Sequence, residues 1–502
     1  MKLLKGRALI ALVTGSFAVV AACSEPDRSF EAAAGDSNGE AGESNEPAGG
    51  TANRAGNAGA ASKAGATNHG GGVSGAGDAS SGDAGSGADA TASGGESGTS
   101  NGDGGAAGEP ALPECGAPGT PCCSGNVCDV NATCSAGSCE CAANDAACNG
   151  ECFDLDSDPK NCGACGHACL GGVCDTGECQ PVNVLVGESG LTRMATDGTY
   201  LYWTGHTAPS SGYYVSRRRV DASDAVKILA GSELGGNYLV VGAHKLYWVA
   251  QQHLRVCDLP DCAAGPTDAI TQLLPNSDVS LHYEPSKGSL FFGSSPGYPY
   301  QGGSTLMLPA GGTALIAIGP NQAAAYAWVS DANNVYWLNT STYTDPAGAQ
   351  NADGGIWRYR ISDGATTQLV TGLRGDVAEL AIGGSALFFA GFQQQTPGQY
   401  TNSVIRAPLP NGLAQGSVPT FATAAGVRGL LADDRSAYFA DAAQTTGTIS
   451  RCPVAACPTP EVIVPGIENP DLQAQDAVSI YWKSTHPLNN GYTSVLVQRL
   501  AK

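Results

Sequence analysis

Residues 181–187 read Pro181-Val182-Asn183-Val184-Leu185-Val186-Gly187, an alternating apolar run with the period of a β-strand. A crowd of cysteines precedes it and a long repetitive region follows. The repeat decides where it belongs. Leu201-Tyr202-Trp203, Leu246-Tyr247-Trp248, Leu290-Phe291-Phe292, Val335-Tyr336-Trp337, Leu387-Phe388-Phe389, Ala437-Tyr438-Phe439 and Ile480-Tyr481-Trp482 are seven copies of one element, their middle residues 43 to 52 apart. A period of about 40–50 residues belongs to propeller blades, and no helical periodicity intervenes.

Each copy holds an apolar strand, a turn such as Thr196-Asp197-Gly198, the aromatic strand, a variable loop and a third strand. Third strands such as YYVSRRR, GIWRYRI and SVLVQRL recur seven times, but fourth strands such as VKILA and EVIVP follow only six of them. The chain ends soon after SVLVQRL. Val182–Val186 supplies the missing strand, and without it the last blade exposes an unpaired edge. The sequence therefore predicts an all-β, seven-bladed β-propeller over residues 181–502, closed by an N-terminal strand.

What precedes the propeller falls into three parts. Residues 1–22 combine a basic start, MKLLKGR, with a short apolar run, which is a secretory signal. Val20-Ala21-Ala22-Cys23 resembles the lipobox of bacterial lipoproteins, which implies acylation of Cys23 and attachment to a membrane by two or three chains. Ser24, where an Asp would favour inner-membrane retention in that family, points to the outer membrane. Residues 23–112 are rich in Gly, Ala and Ser and too poor in large apolar residues to offset ordering entropy, so they read as a disordered tether. Its reach is about 50 Å.

Residues 113–180 carry 14 of the 19 cysteines, as one group of six (115–139) and one of eight (141–179). With so few other apolar residues, disulfides must hold this part. Their pairing is open, since eight cysteines alone allow about 105 connectivities. Asp158-Pro159-Lys160-Asn161-Cys162-Gly163-Ala164-Cys165-Gly166-His167-Ala168-Cys169 resembles a small Cys-rich module of bacterial cell-surface proteins. Cys162, Cys165 and His167 have zinc-ligand spacing, but an oxidising compartment favours disulfides. Asp154, Asp156 and Asp158 begin like a calcium loop that lacks its Gly and Glu, and read as a solvated turn.

The aromatic triplet resembles the YWTD-type propeller repeat, most closely in Tyr202-Trp203-Thr204-Gly205. The repeat's closing Asp appears only at Asp441, and that family has six blades rather than seven, so the resemblance implies architecture and no partners.

In a propeller, connections from strand two to three and from strand four to one share a face. On that face lie long, tyrosine-rich loops holding Tyr298, Tyr300, Tyr343, Asn351, Gln394 and Tyr400, suited to stacking on and hydrogen-bonding a glycan or a protein. The four-to-one connections carry Glu188, Glu233, Asp278, Asp376 and Glu468, which would attract a cation such as calcium if they ringed the channel mouth. His206 and His486 follow the aromatic strands of blades one and seven, neighbours in a closed ring. On the opposite face, Cys257/Cys262 and Cys452/Cys457 form two C-x4-C hairpins expected to close as local disulfides. Arg217-Arg218-Arg219 reads as a solvated edge.

A net charge of −21 argues against nucleic-acid binding. Gly293-Ser294-Ser295-Pro296-Gly297 matches a nucleophile-elbow pattern but falls in a blade loop rather than a strand-to-helix turn. No cofactor motif is present. The sequence thus points to noncatalytic recognition of an extracellular glycan or protein by a surface lipoprotein. The alternatives are a metal-dependent hydrolase or lyase at the channel and a structural envelope component.

Overall fold

The computed structural model describes residues 115–502, apart from positions 130, 144, 251 and 272 and the stretches 207–211, 234–237, 274–277, 296–302, 320–324, 340–353, 374–376, 397–398, 414–418, 443–445 and 488–492. The signal, Cys23 and the tether lie outside the described residues.

Seven four-stranded antiparallel sheets form a β-propeller. The inner strands are Arg193–Thr196, Leu239–Gly242, Asp278–Glu284, Ala325–Ser330, Val377–Gly383, Val427–Ala432 and Asp471–Gln475, and each packs beside the next around a closed ring. The seventh blade is completed from the front of the chain. Val182–Ser189 pairs antiparallel with Thr493–Ala501, with Val497 opposite Leu185 and Arg499 opposite Val182. Val184 and Leu185 are almost fully buried while Val186 is 72% exposed. PVNVLVG is therefore the outer strand that closes the ring.

The aromatic triplets make the core because their second and third residues point to opposite sides of a blade. Trp203, Trp248, Trp337 and Trp482 are wholly buried, as are Phe292, Phe389 and Phe439 in the matching position. The middle residues Tyr202, Phe291, Tyr336, Phe388 and Tyr481 are buried on the other side. Each such ring removes roughly 150–250 Å² from water, so the blade-to-blade interfaces carry most of the stabilisation.

One turn device repeats. Asp197 accepts hydrogen bonds from the Thr199 and Tyr200 amides and from the Tyr202 hydroxyl, the last at 2.9 Å. Asp331 does the same for Tyr336 and Asp476 for Tyr481. The carboxylate satisfies the tight turn and the buried phenol at once. Burial and this partner together push all three tyrosine pKa values up. At the inner ring, Gly429 sits where any Cβ would collide with the Leu472 carbonyl of the next blade, so only glycine permits that approach.

A second device corrects the reading of Arg217-Arg218-Arg219 as a solvated edge. Arg217 is 8% exposed and lies 4.2 Å over the Tyr200 ring. It reaches into the second blade, donating to Asp261 at 2.9 and 2.6 Å, inside the hairpin closed by Cys257 and Cys262. Arg406 likewise donates to the Val454 carbonyl, inside the hairpin closed by Cys452 and Cys457. Both arginines stand opposite the middle aromatic of their blade, as does Arg499. The stack on Tyr200 and the acid in the neighbouring hairpin bury what composition alone assigns to water.

The cysteine-rich module has three two-stranded ladders and seven disulfides. The groups of six and eight cysteines each close on themselves: 115–123, 122–134 and 128–139, then 141–152, 148–165, 162–174 and 169–179. Asp154 accepts from the Asp156 amide and the Ser157 hydroxyl, and Asp158 from the Lys160 amide and Asn161, a hydrogen-bonded turn. Cys162, Cys169, Cys174 and Cys179 belong to one continuous core with Tyr438, Val464, Trp482 and Leu500 of blades six and seven. Arg499 donates to the Leu170 carbonyl, so the module takes the place held by a neighbouring hairpin at Arg217 and Arg406.

Candidate functional site

Strand direction fixes the two faces. The third strand of blade seven runs toward Arg499 and Ala501, and the closing strand starts beside them at Val182. The module and both C-x4-C hairpins therefore share one face. All second-to-third connections leave from the opposite face.

Toward that far face, among the described residues, blade five has the longest second and third strands. Its second strand, Ala386–Thr396, has 11 residues and its third, Gln399–Pro408, has 10, where most second strands have six or seven. Pairing continues past the buried Phe389 and Ile405 through Gln393 opposite Thr401, Gln394 opposite Tyr400 and Thr396 opposite Gln399. At ~3.4 Å per residue the arm rises about 17 Å from Phe389 to Gln394. The structure thus brings Gln394 and Tyr400 together as cross-strand partners. Tyr298, Tyr300, Tyr343, Asn351 and Asp376 lie outside the described residues. Glu233 ends an outer strand and Asp278 begins an inner one, so the two stand at different radii.

The remaining candidates lie on blades six, seven and one, each with its own partner. Glu468 and His486 pair at 2.5 Å, tying the outer strand of blade six to the second strand of blade seven. Glu188 accepts from the Tyr214 hydroxyl at 3.1 Å. Burial and that carboxylate push the Tyr214 pKa up. The Tyr214 ring lies over Gly205, where a Cβ would come within 2.5 Å of its hydroxyl oxygen. This explains why the YWTD-like element of blade one ends in glycine. Asp441, the one position that keeps the acid, accepts from the Ala425 and Gly426 amides and pins the link from blade five to six. His206 packs edge-on against Tyr213, at 5.7 Å.

The axis is built differently from an acid ring. One residue before the inner-strand positions that oppose the third aromatics stand Arg193, Tyr238, Glu379 and Asp471 of blades one, two, five and seven. The Arg193 guanidinium lies 5.4 Å over the Tyr238 ring. Burial opposes its charge, but Tyr238, Asp471 and Glu379 outweigh that and raise its pKa. Lys483 pairs with Asp471 at 3.6 Å and donates to the Leu191 and Thr192 carbonyls. Gln473 also donates to Thr192. The axial acids thus face cations of the chain itself.

Two residues further along, the level holds Ala195, Val240, Val329, Ala381 and Leu431, with His282 of blade three as its ionisable group. His282 Nε2 bonds to the Ser330 hydroxyl of blade four at 3.0 Å. Burial among apolar neighbours lowers its pKa from 6.5 to about 4, so it is neutral at pH 7. Among the described residues, the groups of three or more side chains with ligand atoms within 4.8 Å of one another are cysteines already in disulfides.

Sequence reasoning did not single out Arg193, Glu379 or His282. A signal was available in register: each stands one residue to either side of an apolar inner-strand position that recurs with the blade.

A scan of protein-family models finds no match, and no curated protein matches. Solved propeller structures are similar in fold. A chain of a nidogen/laminin complex is 14% identical over 44% of this chain and 76% of that one, with a TM-score of 0.31. TolB from Acinetobacter baumannii is 12% identical over 57% and 67%, with a TM-score of 0.35. An oligogalacturonate lyase in complex with manganese is 10% identical over 62% and 89%, with a TM-score of 0.45. At these values the likeness carries no argument about this chain.

Proposed function

We propose that this protein is a cell-surface lipoprotein whose propeller recognises an extracellular glycan or protein without catalysis. Acylated Cys23 anchors the chain, residues 23–112 act as a tether, and the cysteine-rich module fixes the propeller's orientation. The observation that supports this reading most is the extended hairpin of blade five, on the face turned away from the module. A paired arm bearing Gln394 and Tyr400 offers polar and aromatic contacts on a pre-organised support, which lowers the entropic cost of binding. The axial acids favour the same reading, since Arg193 and Lys483 occupy the charge that a catalytic metal would need.

The test is a binding screen of the mature chain against glycans and secreted proteins, run with calcium and with chelator. A ligand is expected to bind the parent chain and to lose at least tenfold in affinity when residues 391–402 are replaced by a two-residue turn, with the melting temperature unchanged. Absence of binding in both conditions defeats the recognition reading. Binding that survives the shortened hairpin moves the site elsewhere.

A further inference from the structure

The chain contains two Asn-x-Ser/Thr triplets, Asn131-Ala132-Thr133 in the module and Asn339-Thr340-Ser341 in blade four. This is the acceptor pattern for N-linked glycans on exported proteins, and it needs a surface position. The structure separates the two. Asn339 ends the aromatic strand of blade four and is 1% exposed, so its amide is closed to a transferase. Asn131 is exposed. It stands at φ 67°, in the left-handed turn that leads into the hairpin Ala132–Cys141.

We propose that Asn131 is a glycosylation site of the mature protein. Three features support it beyond the triplet. Asn131 stands in the turn just before the ladder that begins at Ala132, outside its paired residues. Thr133, the hydroxyl residue of the triplet, is exposed too, and its Oγ1 reaches the Glu140 carbonyl only at 3.4 Å. Among the described residues the Asn131 Nδ2 donates to the Cys152 carbonyl alone, at 3.5 Å, which engages one of its two hydrogens. The part of the module that packs on the propeller is Cys162 to Cys179, so a glycan at Asn131 leaves that contact intact.

In the reaction the amide nitrogen attacks the anomeric carbon of an oligosaccharide carried on a lipid pyrophosphate. A nitrogen–carbon bond forms, the carbon–oxygen bond to phosphate breaks, the lipid pyrophosphate leaves, and the amide loses one proton. The donor is of the membrane, where the anchored chain resides.

The test uses the full chain purified from the cells that naturally make it, reduced, digested and analysed by mass spectrometry. The peptide containing Asn131 is expected to carry a mass addition that releases sugar oxonium ions, and the peptide containing Asn339 none. Asn131→Gln and Thr133→Ala, expressed in the same cells, are each expected to remove the addition. Thr133→Ala leaves the acceptor in place, so its effect reports the triplet rather than the turn. A peptide with bare Asn131 overturns the proposal, as does an addition that persists in Thr133→Ala.

Discussion

In residues 115–180 seven disulfides tie together strands of two to four residues, while from Val182 onward two short disulfides accompany 28 strands around rings of buried aromatics. The module has little but sulfur to bury: its buried apolar residues are cysteines. The propeller buries a Trp or Phe from every blade. The difference teaches where each part is vulnerable. A cross-linked module should resist heat and fail on reduction. A propeller should resist reduction and fail when its ring opens, because every blade packs on two neighbours.

The largest effect should come from opening the ring. Deleting residues 181–187 removes the outer strand of blade seven together with the buried Val184 and Leu185. Those side chains alone are worth about 3–6 kcal/mol. That is comparable with the roughly 5–15 kcal/mol net stability of a typical domain. Calorimetry should show the propeller transition collapse, and a melting curve like the parent's would break the closure.

Reduction should separate the two regions. Losing a native disulfide from a small secreted domain costs about 2–5 kcal/mol. Under reductant, limited proteolysis should cut within 115–180 while 182–502 keeps its strand signal. Loss of both regions at the same reductant concentration would show that the comparison is wrong and that the propeller leans on its own two disulfides or on the core it shares with the module's Cys162, Cys169, Cys174 and Cys179.

Much of this contrast is legible in the sequence. The count of first, second, third and fourth strands finds the closing strand because a propeller blade has a fixed strand number. The even cysteine groups find the module because disulfides pair. What the sequence does not disclose is the partner of each polar group. Arg217 looks solvated until blade two delivers Asp261 from 44 residues away. Glu468 looks like part of a channel ring until its strand proves to be the outer one of blade six and His486 lies against it. Such contacts depend on which blade follows which and at what radius, and no local pattern records that.

Acid should strain the propeller ahead of the module. In the unfolded chain His282 takes up a proton near 6.5, in the propeller near 4. Between those values the unfolded state binds more protons, so the stabilising term is complete above about pH 6.5 and is lost as pH falls toward 4. At 1.36 kcal/mol per unit its ceiling is ~3 kcal/mol. His282→Gln keeps a partner for Ser330 without a proton to gain, so the melting temperature of the variant should fall less than the parent's between pH 7 and 4. Parallel curves would remove His282 from the account.

The smallest effect tests whether the propeller is held by many modest, repeated terms. Tyr336 and Tyr481 sit five residues after Asp331 and Asp476 and donate to them at 2.8 and 2.6 Å. Blades three and five have Phe291 and Phe388 at this position, preceded at the same distance by Ser286 and Gly383. Where this position is fully buried a phenol comes with its acid; Tyr247 of blade two, five residues after Gly242, is only half-buried and stacks on Tyr283. Tyr336→Phe should therefore cost about 1.5–3 kcal/mol, the worth of one hydrogen bond to a charged acceptor. Phe388→Tyr should cost a similar ~1–3 kcal/mol, because a hydroxyl is buried with nothing to receive it. Adding Gly383→Asp to Phe388→Tyr does not restore the pair, since a Cβ at Gly383 collides with the Asp433 carbonyl of the next blade. Equal melting temperatures for the parent and Phe388→Tyr would mean that blade five accommodates the hydroxyl without an acid, and the Asp–Tyr pair would then be ornament on the aromatic core rather than part of what replaces sulfur in the propeller.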